Sequence, residues 1–139
     1  MPGINHVHLG IVPGSRDAVD AFLADVLGYE RIGLERFPGK NVYKAGDGTE
    51  VHLKEDPGHR RRAVNPDNGV PEGPHTAVYL DVELTEAEGR LTEAGLEYRI
   101  ISRDDAGRPK VIFTQDPSGN SWELHRPRDA SKPLAEKNG

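Results

Sequence analysis

His6, His52, His75 and Glu123 are the residues whose types and places in the chain suit a single piece of chemistry. Neutral imidazoles and a carboxylate meeting at a point are the ligands a first-row divalent ion prefers. The chain contains no cysteine, so a thiolate site and a disulfide framework are both excluded, and any metal is held by nitrogen and oxygen. Two histidines and one carboxylate leave open positions where a small molecule can chelate through two neighbouring oxygens. The metal then acts as a Lewis acid on the charge that develops as a proton leaves or a nucleophile attacks. His52 is the candidate base, because an imidazole titrates near neutral pH. If His52 is instead a fourth ligand, Glu123 is left to dissociate and serve as the base, and both roles stay open at this point.

The reason for grouping these four is that the chain is written twice. Ile4 to Val12 and His75 to Val82 are β-type runs with a histidine near the start of each. Each leads into a helix. In the first half Ser15 or Asp17 can cap a stripe of Ala18, Val19, Phe22, Leu23, Val26 and Leu27 closed by Gly28. In the second, Thr85 and Glu88 have capping-box spacing, and Leu84, Ala87, Leu91 and Ala94 form a stripe closed by Gly95. Superposing the turn glycines Gly48 and Gly119 then puts His52 and Glu123 at equivalent positions. Each half reads strand, helix, three strands.

Alternation along the strands fixes which side chains share a face. Val7, Leu9 and Ile11 oppose His6 and His8; Val51 and Leu53 oppose Glu50, His52 and Lys54. Thr76, Val78 and Leu80 oppose His75, Ala77 and Tyr79, while Trp122 and Leu124 oppose Ser121, Glu123 and His125. The aliphatic face is expected under the helices and the other face in a cleft. If the halves close about a pseudo-twofold axis, His6, His52, His75 and Glu123 converge. His8 and His125 share that face without counterparts in the other half, and face the substrate or support the ligands. Tyr79 and Phe113 point into the cleft as an apolar wall, and Arg60 and Arg61, in the run His59-Arg60-Arg61-Arg62, can draw an anionic group at the rim.

At 139 residues the chain fits one domain: module one at about 3–56, a connector at about 57–73, module two at about 74–126, and a polar tail over 127–139. A net charge of -5 argues against nonspecific nucleic-acid binding. The N-terminus has no basic region leading into an apolar one, and no apolar run approaches the roughly 18 to 20 residues of a membrane span. The expected location is the cytoplasm, with neither membrane nor nucleic acid as partner.

Three segments resemble the vicinal oxygen chelate superfamily, which includes glyoxalase I, methylmalonyl-CoA epimerase, fosfomycin- and bleomycin-resistance proteins and extradiol dioxygenases. They are Ile4-Asn5-His6-Val7, Pro74-His75-Thr76-Ala77-Val78 and Asp116-Pro117-Ser118-Gly119-Asn120-Ser121-Trp122-Glu123-Leu124. The resemblance implies an α+β fold of two tandem βαβββ modules forming an incomplete eight-stranded barrel around a metal cleft. It also implies a homodimer, with sites in some members shared between chains. His6, His75 and Glu123 take the metal-ligand positions, for one divalent ion among Zn, Ni, Mn, Co and Fe(II). His52 stands where glyoxalase I and the epimerases have Glu or Gln, and near a histidine that acts in acid-base chemistry in extradiol dioxygenases. The activity implied is a glyoxalase-type lyase or isomerase acting on a small molecule. The alternatives are an Fe(II)-dependent dioxygenase and an antibiotic-resistance or drug-binding protein.

Overall fold

A computed structural model describes residues 5–32 and 41–128. The polar-tail reading from 129 onward, and the start of the first strand at Ile4, lie outside the described residues. The element order is β1 (His6–Ile11), α1 (Arg16–Ala21), β2 (Glu30–Ile32), β3 (Asn41–Lys44), β4 (Glu50–Glu55), β5 (Thr76–Tyr79), α2 (Leu84–Glu93), β6 (Tyr98–Arg103), β7 (Pro109–Gln115) and β8 (Ser121–His125). The strands form two four-stranded open sheets, ordered β1-β4-β3-β2 and β5-β8-β7-β6. In each, the first and last strands of the module run parallel and the others antiparallel. These are two βαβββ modules of an incomplete eight-stranded barrel.

The register reproduces the duplication residue by residue. His52 pairs with His8, two residues after His6. Glu123 pairs with Ala77, two residues after His75. His52 and Glu123 therefore occupy the same place in their modules, and Lys54, opposite Gly10, corresponds to His125, opposite Tyr79.

One apolar core lies under the helices. Ile11, Val19, Leu23, Leu53, Leu91, Ile112, Trp122 and Leu124 are all fully buried in it. The first helix does not stay α to its end: Phe22–Val26 is a π-helical segment, and its wider turn places Phe22, Leu23, Val26 and Leu27 all against the core. Gly28 and Gly95, at φ 75° and 71°, close the two helical segments as expected.

The capping expectations fare differently. Ser15 is the N-cap of α1, but its hydroxyl donates to the Val12 carbonyl at 2.6 Å rather than capping. α2 begins one residue before Thr85, with Glu83 as an N-cap that makes no side-chain bond. Leu84 is buried, and seating it in the core is worth about 1.5–3 kcal/mol against about 1 kcal/mol for a cap. Packing sets where this helix starts.

The modules are joined by the Asp116–Asn120 turn. The Asp116 carboxylate accepts the Ser118 and Asn120 backbone N–H groups at 2.8 and 3.2 Å and the Trp122 indole N–H at 3.0 Å. Burial raises its pKa above the usual carboxylate value, and the Trp122 and backbone bonds oppose that rise. From this turn Asn120 donates to the Gly10 carbonyl and the Ser118 hydroxyl accepts from Val12 N–H, so module two grips the end of β1. His59 is buried and donates to the Ser118 carbonyl at 3.0 Å. It anchors the connector to this turn. No helix among the described residues is long and apolar enough to cross a membrane.

Candidate metal centre

The face opposite the core carries the six side chains of His6, His8, His52, His75, Glu123 and His125 and sorts them into two groups. On β1 and β4, His6 and His52 stack with ring centroids 4.2 Å apart, and His8 lies 5.5 Å from His52. On β8 and the approach to β5, Glu123 sits between two imidazoles. His75 Nε2 is 3.0 Å from Glu123 Oε1, and His125 Nε2 donates to Oε2. Phe113, paired with Glu123 across β7 and β8, meets the His75 ring edge-on at 6.1 Å. Tyr79 packs against His125 at 5.9 Å and is 42% exposed.

Partial burial raises the Glu123 pKa, but hydrogen bonds from His125 and His75 outweigh it, and the net shift is downward. Glu123 is thus held as a carboxylate with both oxygens engaged. His52, only 7% exposed, donates from Nε2 to Glu50 Oε1 at 2.8 Å. Alternation places Glu50 on this face without revealing that it pairs with His52; the i, i+2 spacing on one side of β4 is the signal that could have found the pair.

Donor chemistry fits a divalent ion. His6 Nδ1 faces the Asn5 side-chain oxygen at 2.8 Å and His75 Nδ1 faces the Gly73 carbonyl at 3.2 Å. For His6 an acceptor at Nδ1 fixes the proton there and leaves Nε2 with a lone pair, the tautomer a metal-binding histidine needs; His75 Nε2 donates to Glu123 and would exchange that proton for the ion. The 3.0 Å between His75 Nε2 and Glu123 Oε1 also matches the roughly 3 Å between adjacent ligands around an ion bound at about 2.0–2.1 Å. His52 differs from His6, because its Nε2 is taken by Glu50.

Within one chain the four candidate ligands are divided between the two sheets. Among the described residues no group of three or more His, Asp or Glu side chains is placed to hold a metal ion. His6 and His52 lie on one sheet, while Glu123 lies on the other and His75 directly precedes its strand β5. The contacts joining the modules run through the helices and the Asp116–Asn120 turn. Phe22 and Trp122, 5.7 Å apart, and Arg90, which donates to the Val26 carbonyl, are examples. Of the remaining residues, Arg60 turns back onto the Pro57 and His59 carbonyls, whereas Arg61 crosses to Gln115 at 2.8 Å.

The fold defines a protein with the architecture of the vicinal oxygen chelate superfamily. Solved structures match it over nearly the whole chain. A protein assigned to the glyoxalase family from Bacillus anthracis is 25% identical, with 92% of this chain and 97% of that one covered and a TM-score of 0.65. The genomically encoded fosfomycin resistance protein FosX from Listeria monocytogenes is 19% identical over 97% and 98%, with a TM-score of 0.66. A glutamate-to-glutamine mutant of that protein, in complex with Mn(II) and 1S,2S-dihydroxypropylphosphonic acid, is 21% identical over 100% and 99%, with a TM-score of 0.64. No protein-family model and no curated protein sequence matches the chain.

Proposed function

We propose that this chain is a metal-dependent lyase or isomerase of the glyoxalase type, forming a single domain over 1–139. It moves a proton at a carbon of a small molecule that binds through neighbouring oxygens. His6, His75 and Glu123 would hold one divalent ion, at a site completed between two copies of the chain. The observation that carries this reading is that His6, with Nδ1 against an acceptor, leaves Nε2 with a lone pair, and that His75 Nε2 and Glu123 Oε1 meet 3.0 Å apart, as two ligands of one ion would, yet the two groups belong to separate half-sets. A second copy is the natural source of the missing half-set, and the solvent exposure of His6, His8, His75 and Tyr79 on that face supports it. The FosX complex with Mn(II) supports a divalent ion on this architecture.

A bound ion supplies Lewis-acid stabilisation of negative charge on the substrate oxygens. The chain supplies the rest. Glu50 accepts the Nε2 proton of His52 and holds its ring, so that Nδ1 carries the lone pair that takes the proton from substrate carbon and returns it. This favours His52 as base over His52 as ligand. His125 orients the Glu123 carboxylate, and Phe113 and Tyr79 exclude water from the reacting carbon. His8 lies beside the His52 ring at the substrate face.

The test is solvent exchange. Metal-loaded protein incubated in deuterated water with 2-hydroxy and 2-oxo compounds should introduce deuterium next to an oxygen-bearing carbon without consuming oxygen. Oxygen uptake with a catechol would instead assign an Fe(II) dioxygenase. A fosfomycin-resistance role is favoured by the FosX matches, and metal-dependent loss of fosfomycin in the same assay would establish it.

A further inference from the structure

Beside the second half-set lies a solvent-open cavity of about 890 Å³ between the connector and strands β6 and β7 of module two. That volume is in the range of sites for drug-sized ligands, roughly 300–1,000 Å³. Its walls include Val64, Pro71, Leu96 and Phe113, and Arg61 and Arg99 line it. Neither arginine forms an ion pair among the described residues.

Both arginines are held by neutral partners and by close packing on a glycine. Arg61 donates to the Gln115 side-chain oxygen at 2.8 Å, and Arg99 to the Asp67 carbonyl at 2.7 Å. A Cβ on Gly119 would come within 2.7 Å of Arg61 Cγ, and one on Gly69 within 2.3 Å of Arg99 Cγ. Gly119 and Gly69 have φ 84° and 73°, so both the backbone shape and the missing side chain are needed for the guanidinium stems to lie where they do. Of the two acidic residues on the wall, Asp116 is committed to its own turn and Glu97 is exposed. Two positioned cations held by neutral groups, next to an apolar wall, form a receptor for an amphipathic anion.

Strand register relates this receptor to the candidate metal centre. Arg99 pairs with Phe113, and Phe113 with Glu123, so the three lie side by side on one face. Two inter-strand spacings separate Arg99 from Glu123, about 10 Å. Building on the function proposed above, we infer that the substrate is an elongated organic anion. A carboxylate or phosphoryl group binds Arg61 and Arg99, an apolar or aromatic body lies against Phe113, and the reacting oxygens reach Glu123 about 10 Å away. A three-carbon substrate would leave most of the cavity empty.

The test uses metal-stripped protein, so that it stands apart from the catalytic proposal. Phenylphosphonate, inorganic phosphate and benzyl alcohol are titrated by calorimetry, with the Nε–H signals of Arg61 and Arg99 followed by NMR. The expected result is that phenylphosphonate binds at least about ten times more tightly than either other probe and shifts both arginine signals, one factor of ten being about 1.4 kcal/mol. Arg61→Gln and Arg99→Gln should each weaken it by about five-fold or more, roughly 1 kcal/mol, while Arg103→Gln, at an exposed arginine bonded to the Gly107 carbonyl, should not. Equal affinity for phenylphosphonate and benzyl alcohol, or unmoved arginine signals, overturns the inference. Anion binding without metal uptake would sink the proposed function and leave the receptor standing; metal uptake and proton exchange without anion binding would do the reverse.

Discussion

The two half-sets occupy the same positions in duplicated modules and have diverged in what they offer. Module one presents three imidazoles, with the Glu50 carboxylate drawn to His52. Module two presents a carboxylate at the centre, with an imidazole on each oxygen and a cavity beside it. Duplication sets the geometry, and substitution at equivalent positions sets the chemistry: module one has the imidazole of His52 where module two has the carboxylate of Glu123. On the proposed function, module two supplies two of the three metal ligands and the substrate cavity, and module one supplies the third ligand, His6, and the group that moves the proton.

Glu123→Ala should break this division most severely. It removes a ligand and leaves His75 and His125 without their shared partner, so metal retention should fall by more than the roughly 10- to 100-fold that losing an orienting partner costs. Metal content after dialysis checks it. His52→Gln should leave metal content unchanged and lower the exchange rate by about 10²- to 10⁴-fold. Glu50→Gln should give a smaller rate loss together with a displaced pH profile; metal loss in His52→Gln would make His52 a ligand instead.

The two turns that precede the last strands sharpen the comparison for stability. Asp116→Ala orphans the Trp122 indole N–H and two backbone N–H groups in a buried site, at about 1–3 kcal/mol for each group left unsatisfied. Asp47, in the matching turn, accepts the Thr49 N–H at an exposed position, and Asp47→Ala should cost under about 1 kcal/mol. Urea unfolding of the two variants measures the difference.

The smallest effect lies outside both half-sets. The Arg108 backbone N–H, with the Arg126 and Arg108 side chains, lowers the Asp104 pKa to about 2. A depressed carboxylate pKa gives stability that is present above about pH 4 and lost as pH falls towards 2. Asp104→Asn should flatten acid unfolding across that window without changing metal content at neutral pH.

The strand faces, the helix-closing glycines and the equivalence of His52 with Glu123 were legible because strand alternation and positive-φ glycines are local properties. What was not legible depends on distance in space. The α2 start is set by burial of Leu84 rather than by the Thr85–Glu88 pattern, and His59 is buried by a turn far along the chain. Arg99 reads as an ordinary solvent-facing residue until Gly69 is seen packed against its stem. Convergence of His6, His52, His75 and Glu123 depends on how two similar sheets are set against each other, which alternation within a strand does not encode.

The most direct test is complementation between half-sets. Chains carrying His6→Ala and His52→Ala are co-expressed with chains carrying His75→Ala and Glu123→Ala, and the heterodimer is isolated through two different affinity tags for metal analysis. A site shared between copies leaves one intact set in the heterodimer, so about one metal ion per dimer is expected there, with none in either parent homodimer. A heterodimer without metal, alongside a wild-type protein that binds it, would place the site within one chain; a wild-type protein that binds no divalent ion would contradict the account altogether.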